Sequence, residues 1–291
     1  LEEELSRSIA ATVTGQIESE LQRVAISRRA ADQQAYDLLL SGNYHLNQGN
    51  RKDVVLAIDK FERCLSKDPD NARVHANLFY CHDFNVMDHW TEDVDHSRQL
   101  AAEHIRKAVS LDPDLAQVQV AYANFLIFTH QFEDAERQLK RALDSKPNDT
   151  EAIAMHAVSL SNQGKAEAAL EQAELALKLD PYHPWSRWIR SECLYFCNRF
   201  DDCLENIADI VNPPGFIQIY MITANVRLGR LDTARTALQE FLEFCRENMS
   251  SMPENIDEWQ QYYRDNAPFI DPEVNDHIID CLVQAGLEEE M

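Results

Sequence analysis

The stretch AAEHIRKAVSLDPDLAQVQVAYANFLIFTHQFEDAERQLKRALDSKPNDTEAIAMHAVSLSNQGKAEAALEQAELALKLDP, residues 101–181, decides the fold. Pro113, Pro147 and Pro181 stand 34 residues apart in it. Twelve residues before each proline is an alanine (Ala101, Ala135, Ala169), and five before it is another (Ala108, Ala142, Ala176). Between them lie Ile105, Leu139 and Ala173, eight residues before the proline. Spacings of four and three put these positions on one side of a helix. Small side chains there let two antiparallel helices approach to about 8–10 Å. The proline then ends the helix, since it has no N–H for the next backbone hydrogen bond. The period therefore reads as a helical hairpin repeated along the chain.

The phase extends outward in both directions. Upstream, Ala57, Phe61 and Cys64 precede Pro69 at the same distances. Downstream the spacing loosens: Cys203, Ile207 and Ile210 precede Pro213, and Ala234, Leu238 and Phe241 follow Gly229. Six units result, over residues 35–69, 72–113, 116–147, 150–181, 184–213 and 215–244, within an array spanning 32–244. Gly164 and Gly229 mark the turns between the two helices of a unit, where glycine relieves backbone strain. His130 and Asn198 hold that place in two other units. The first unit has a long connection, 15 residues from Gly42 to Ala57 against 12 in the pattern. In the second, 22 residues separate Phe79 from Ala101, and the surplus falls in Asp83–Gln99. That surplus is expected to break the helix and form a loop on one face, often the binding face of a repeat protein.

The ends differ from the middle. Residues 1–31 read as one amphipathic helix carrying Leu5, Ile9, Val13, Ile17, Leu21 and Val24, suited to cap the stack or pair with another chain. Residues 245–291 hold Trp259, Tyr262 and Tyr263 and a final helix from about Pro272 to Ala285. An array needs its end repeats capped, and this region is the candidate. The expected fold class is thus all-α: a superhelix of about six helix-turn-helix repeats with N-terminal and C-terminal capping helices.

Composition narrows the function. With 50 acidic and 27 basic residues the net charge is −23, a field that repels a nucleic-acid backbone. The cluster from Arg23 to Arg29 reads as a solvated helix face. Only 7 glycines disfavour hairpin-rich or dinucleotide-binding folds. Seven scattered cysteines read as small buried residues in a reducing compartment. No apolar run of 18 residues is present, so no membrane insertion is expected. No signal peptide is recognised, which places the chain in the cytoplasm, or in the periplasm if a membrane span lies upstream. The first residue, leucine, suggests a segment of a longer or processed protein.

No phosphate loop, nucleophile elbow, zinc-protease motif or dinucleotide fingerprint occurs, so no catalytic residue and no cofactor is assigned. His75, His82, His89 and His96 fall seven residues apart, near Asp83, Asp88 and Asp93. On an unbroken helix they form one stripe, so His82, His89 and His96 are the metal candidates. Against this stand the broken helix and the lack of any His-x2-His or Glu-x-x-His pair. Cys193 and Cys197 lie one turn apart but have no second ligand pair beside them, and buried packing explains them better.

Three segments narrow the resemblance. LSRSIAATVTGQIE (5–18), AYDLLLSGNYHLN (35–47) and DPEVN (271–275) with LVQAGL (282–287) resemble the C-terminal tetratricopeptide-repeat region of bacterial class III adenylate or guanylate cyclases and related TolB-like regulators. Winged-helix transcriptional activators of similar layout also carry such repeats. The 34-residue period is that of the tetratricopeptide repeat. The resemblance implies a non-catalytic module whose output domain lies upstream. It covers nearly the whole chain, but through structural motifs only.

The resemblance also implies which positions of each first helix line the concave groove. In the third unit they are Gln117, Val120, Asn124, Ile127 and Phe128; in the fourth, Glu151, Ala154, Val158, Ser161 and Asn162. The fifth gives Trp185, Trp188, Glu192, Tyr195 and Phe196, and the sixth Phe216, Ile219, Thr223, Val226 and Arg227. Aromatic residues in a concavity anchor a peptide or partner helix, or else pack against the C-terminal tail. Relatives that clamp acidic chaperone tails use lysine where Val120 stands, so that activity is not carried over. The expected function is a protein-binding scaffold, self-association included. The rival is a small-ligand or metal sensor using the aromatic patch or the histidine-bearing insertion.

Overall fold

Helices form here because the sequence supplies good formers in amphipathic runs, with asparagine or aspartate at several starts. Asn50, Asn71, Asp93, Asp149 and Asn255 each accept a backbone N–H of the first turn they precede. The computed structural model describes residues 30–287 apart from 184, 211, 212 and 268. The helix expected over 1–31 lies outside the described residues, save that Ala30 and Ala31 open the first one.

Fourteen helices and no strand occur among the described residues. They run α1 (Ala30–Leu46), α2 (Arg51–Leu65), α3 (Ala72–Met87), α4 (Val94–Leu111), α5 (Ala116–Phe128), α6 (Phe132–Ser145) and α7 (Thr150–Asn162). Then come α8 (Ala166–Leu179), α9 (Ser186–Phe196), α10 (Phe200–Ala208), α11 (Gly215–Arg227), α12 (Leu231–Asn248), α13 (Ile256–Asn266) and α14 (Glu273–Ala285). Helices α1 to α12 pair as six consecutive hairpins, and each hairpin packs on the next. The molecule is an all-α superhelix of tetratricopeptide type.

The phased residues do what their size suggests. Ala135, Leu139 and Ala142 of α6, with Phe132, are its buried stripe, and Ala169, Ala173 and Ala176 belong to that of α8. In α2, Ala57, Phe61 and Cys64 are fully buried, and the Cys64 thiol donates to the Ala35 carbonyl oxygen at 3.1 Å. All seven cysteines are unpaired thiols. Burial raises the Cys64 and Cys281 thiols and pushes those of Cys197 and Cys203 to about 11 and about 12.

Five hairpins turn in the same way. His89, His130, Gly164, Asn198 and Gly229 all have positive φ, between 48° and 75°. After each, an amide N–H bonds the carbonyl five residues back: Trp90 to Asn85, Gln131 to Leu126, Lys165 to Leu160, Arg199 to Leu194 and Arg230 to Asn225. This is the six-to-one closure that ends a helix through a left-handed residue.

Two expectations are corrected. The surplus in the second unit is not a protruding loop: α3 and α4 have 16 and 18 residues against 13 and 14 in α5 and α6, and His89 makes the same turn as its counterparts. Seven of the extra residues continue as helix, which satisfies their backbone groups, and the rest lengthen the turn, 88–93 against 129–131 in the third unit. In the fifth unit, α10 ends at Ala208, so Ile210 lies beyond the helix. Pro213 and Pro214 follow closely, and neither can donate the hydrogen bonds a continuing helix requires.

After α12 the chain crosses the inner side of the superhelix. Arg51 donates to the Asn248 carbonyl oxygen at 3.0 Å and to Ser250 Oγ at 2.9 Å, tying the first hairpin to the end of the sixth. The Ser250 N–H donates to the His89 carbonyl oxygen at 2.8 Å, and Tyr262 of α13 donates to that of Met87 at 2.6 Å. The Ile270 N–H donates to the Asn162 carbonyl oxygen at 2.9 Å. Helix α14 then packs on α11 and α12, burying Ile278, Ile279 and Leu282 beside Leu238 and Ile222.

Candidate binding site

The inner surface of the superhelix and the returning C-terminal segment enclose a cavity of about 190 Å³. Helix α3 contributes Tyr80, Asp83, Phe84 and Asp88, one side of a helix at spacings of three to five. Trp188 and Glu192 of α9 stand four apart on another wall, and Phe216 and Tyr220 of α11 likewise on a third. Tyr262 and Phe269 come from the C-terminal segment.

The aromatic rings hold one another in place. Trp185 meets Tyr80 edge-on at 5.1 Å and Phe84 at 6.3 Å, and Phe84 stacks on Trp90 at 5.8 Å. Trp188 meets Phe216 edge-on at 5.9 Å. These separations and tilts are those that aromatic quadrupoles favour. Gly49, in the first hairpin's turn with φ 59°, touches the far rim of Trp188: a Cβ there would lie 2.6 Å from Trp188 Cη2.

Three carboxylates interrupt this apolar wall. Asp88 caps the C-terminus of α3 and is 5% exposed, with its Oδ2 buried and without a hydrogen-bond partner. A carboxylate there also faces the negative end of the helix dipole. Glu192 Oε2 accepts the Tyr220 hydroxyl at 3.1 Å, and the Ser161 hydroxyl lies beside the same carboxylate. Asp83 Oδ2 accepts only a long bond, 3.3 Å, from the Asn124 amide. Burial pushes Asp83 and Asp88 up to about 7 and raises Glu192. Arg98 near Asp83 and the Tyr220 hydroxyl on Glu192 oppose this only in part.

Of the residues predicted for the groove, Asn124, Phe128, Val158, Asn162, Trp185, Trp188, Glu192, Phe216 and Ile219 border this cavity. Gln117 does not; it borders a separate polar recess, where its amide donates to Asn77 and that of Asn77 to Asn43, both at 2.7 Å. Val120 is fully buried in a cluster with Met155, because its position faces the next hairpin's first helix. Thr223 is fully buried and its hydroxyl turns back to the Ile219 carbonyl oxygen. Tyr195 packs among Phe196, Phe200 and Tyr220, and Phe196 meets Phe269 of the C-terminal segment at 5.3 Å. Sequence reasoning missed Asp83, Asp88 and Tyr262. Asp83 keeps the phase that Pro69 sets for α3, Asp88 lies beyond its last groove position, and no local pattern announces the long-range return of Tyr262.

The histidine candidates are not brought together. His82 stacks on His104 at 5.6 Å, and His104 Nδ1 lies 3.0 Å from His75 Nδ1. Burial lowers His82 and His104 to about 4, which keeps these imidazoles neutral. His89 sits in the turn against Tyr262, and His96 lies in the first turn of α4, its N–H bound by Asp93. Among the described residues no group of three or more His, Cys, Asp or Glu side chains could hold a metal ion. No helix among them is long and apolar enough to cross a membrane.

The tetratricopeptide repeat family model matches residues 97–158, from within α4 to within α7. No curated protein matches the chain. Among solved structures, PilW, a widely conserved type IV pilus biogenesis factor, is 14% identical, with 73% of this chain and 92% of that one covered at a TM-score of 0.50. PilF of Pseudomonas aeruginosa is 20% identical, covering 81% and 99% at 0.46. A tetratricopeptide repeat protein of Parabacteroides merdae is 11% identical, covering 86% and 99% at 0.47. The PilW likeness concerns the path of the chain alone.

Proposed function

We propose that this chain is a non-catalytic interaction and regulatory module. One observation carries the reading: the inner face is a layer of aromatic side chains on the first helices of successive hairpins, and an extended stretch of the chain's own C-terminus already lies on it. Repeat arrays present their concave side to partners, and buried aromatic anchors supply most of the affinity of such contacts. Here Phe269 inserts against Phe196 while the neighbouring Ile270 N–H engages the end of α7. That is the combination of side-chain anchor and main-chain hydrogen bond by which a peptide is held.

The parent protein, on this reading, is a bacterial signalling protein such as an adenylate cyclase; a winged-helix regulator is the second choice. The support is the resemblance of residues 5–18, 35–47 and 271–287 to the repeat regions of those proteins. The test is the output of the full-length gene product, nucleotide cyclisation or promoter binding, with the array intact and with Phe196→Ala. A changed output from a folded, equally abundant variant is expected. An unchanged output, or a full-length product lacking any output domain, would overturn the proposal.

A further inference from the structure

We infer that the inner cavity is a binding site for a small organic cation, an alkylammonium ion whose nitrogen sits beside Asp83 and Asp88 and whose carbons lie against the surrounding rings. This goes beyond the interaction reading and does not depend on it. The cavity is lined by three carboxylates and by no lysine, arginine or histidine. Asp88 is 5% exposed and keeps an unpartnered oxygen, and Asp83 accepts one long bond, 3.3 Å, from Asn124. Burying such groups unpaired is costly, so a counter-charge entering the cavity gains what the protein itself does not provide.

The rest of the wall selects the kind of cation. A bare metal ion needs converging ligands, and no group of three such side chains among the described residues offers them. Trp188, Phe216 and Phe84 instead present rings to the same space. An ammonium ion carrying methyl or methylene groups meets both halves of the site, through charge at the acids and cation–π attraction at the rings. The volume, about 190 Å³, is that of about six waters at roughly 30 Å³ each. That suits a short alkylamine, and a single lysine side chain carries the same chemistry.

The test is titration of the whole chain, slightly above neutral pH and at constant ionic strength, with n-pentylammonium, with neutral 1-pentanol as its shape match, and with Nα-acetyl-lysine amide. Binding is read from tryptophan fluorescence, since Trp185 and Trp188 border the cavity, and from the shift in melting temperature. Saturable binding of n-pentylammonium but not of pentanol is expected. Asp88→Asn should weaken it about tenfold or more, a loss one buried counter-charge readily accounts for. Equal binding of pentanol, unchanged affinity in folded Asp88→Asn, or no saturation with the amine would overturn the assignment. So would binding of the lysine amide alone, which would make the site an anchor for a partner's side chain. If Asp88→Asn does not fold, Asp83→Asn replaces it under the same criteria.

Discussion

The second helices of the hairpins and the first helices obey different rules. Helix α6 buries one stripe, Phe132, Ala135, Leu139 and Ala142, and leaves the rest to solvent. Helix α5, its partner, buries Val118, Gln119, Val120, Ala121, Ala123 and Asn124 in close succession, on every side. A second helix touches mainly one layer; a first helix is wedged between its own partner, the adjoining hairpins and the inner cavity. Periodicity records a single buried side. The repeat is therefore written in the outer layer, while the inner layer is free to vary and holds the site.

The contrast can be broken most forcefully by cutting one residue from each layer. Leu139→Ala empties a filled position on the outer stripe and should cost about 2–5 kcal/mol. Phe128→Ala, on the half-buried wall of a space already empty, should cost less than about 2 kcal/mol, since fewer contacts are lost. Urea unfolding of both variants checks this, and equal losses would contradict it.

The turns sharpen the comparison next. Gly49 and Gly164 both have positive φ, but a Cβ on Gly164 meets nothing within 4 Å, whereas one on Gly49 strikes Trp188. Gly164→Ala should cost about 1–2 kcal/mol, from the backbone alone. Gly49→Ala should cost about 1–3 kcal/mol more, because an inner-face ring must move as well. Equal melting temperatures for the two variants would remove Gly49 from the description of the cavity.

A further contrast separates the two sets of buried titratable groups by pH. Asp88 stands at about 7 in the folded chain against 3.8 as its ordinary value, so folding holds its proton and stability falls as pH rises between the two. His82 and His104 stand at about 4 against 6.5, so their contribution runs the other way and stability is lost as pH falls from 6.5 toward 4. Asp88→Asn should therefore match the parent near pH 4 and exceed it increasingly up to about 7. His104→Gln should gain on the parent as pH drops below about 6.5. Melting curves across this range would show both trends, and a pH-independent difference for either variant would contradict its assignment.

These layers also explain what could be read in advance. Small residues such as Ala142 and Ala176 revealed the hairpins because a helix crossing tolerates little else. His130 and Asn198 gave a weaker sign of their turns, since side chains other than glycine adopt the left-handed region at some cost. Trp188, Glu192 and Phe216 were legible as inner-face positions because their units keep the repeat phase. Asp83 was legible in the same way, since it stands fourteen residues after Pro69 as Ile127 does after Pro113, whereas Asp88 lies beyond the last groove position of that phase. The path of residues 249–271 was not legible either: Ser250 and Ile270 meet partners more than a hundred residues away, and nothing local encodes such contacts.

The account rests on the C-terminal segment lying across the inner face and closing it into a cavity. Amide hydrogen exchange at Ile270 tests this most directly, because its N–H is bound to the Asn162 carbonyl oxygen outside any helix. Exchange slowed to the pace of amides within α11 is the predicted result. Exchange at the rate of an unstructured peptide would mean that the segment does not dock and that no closed cavity exists.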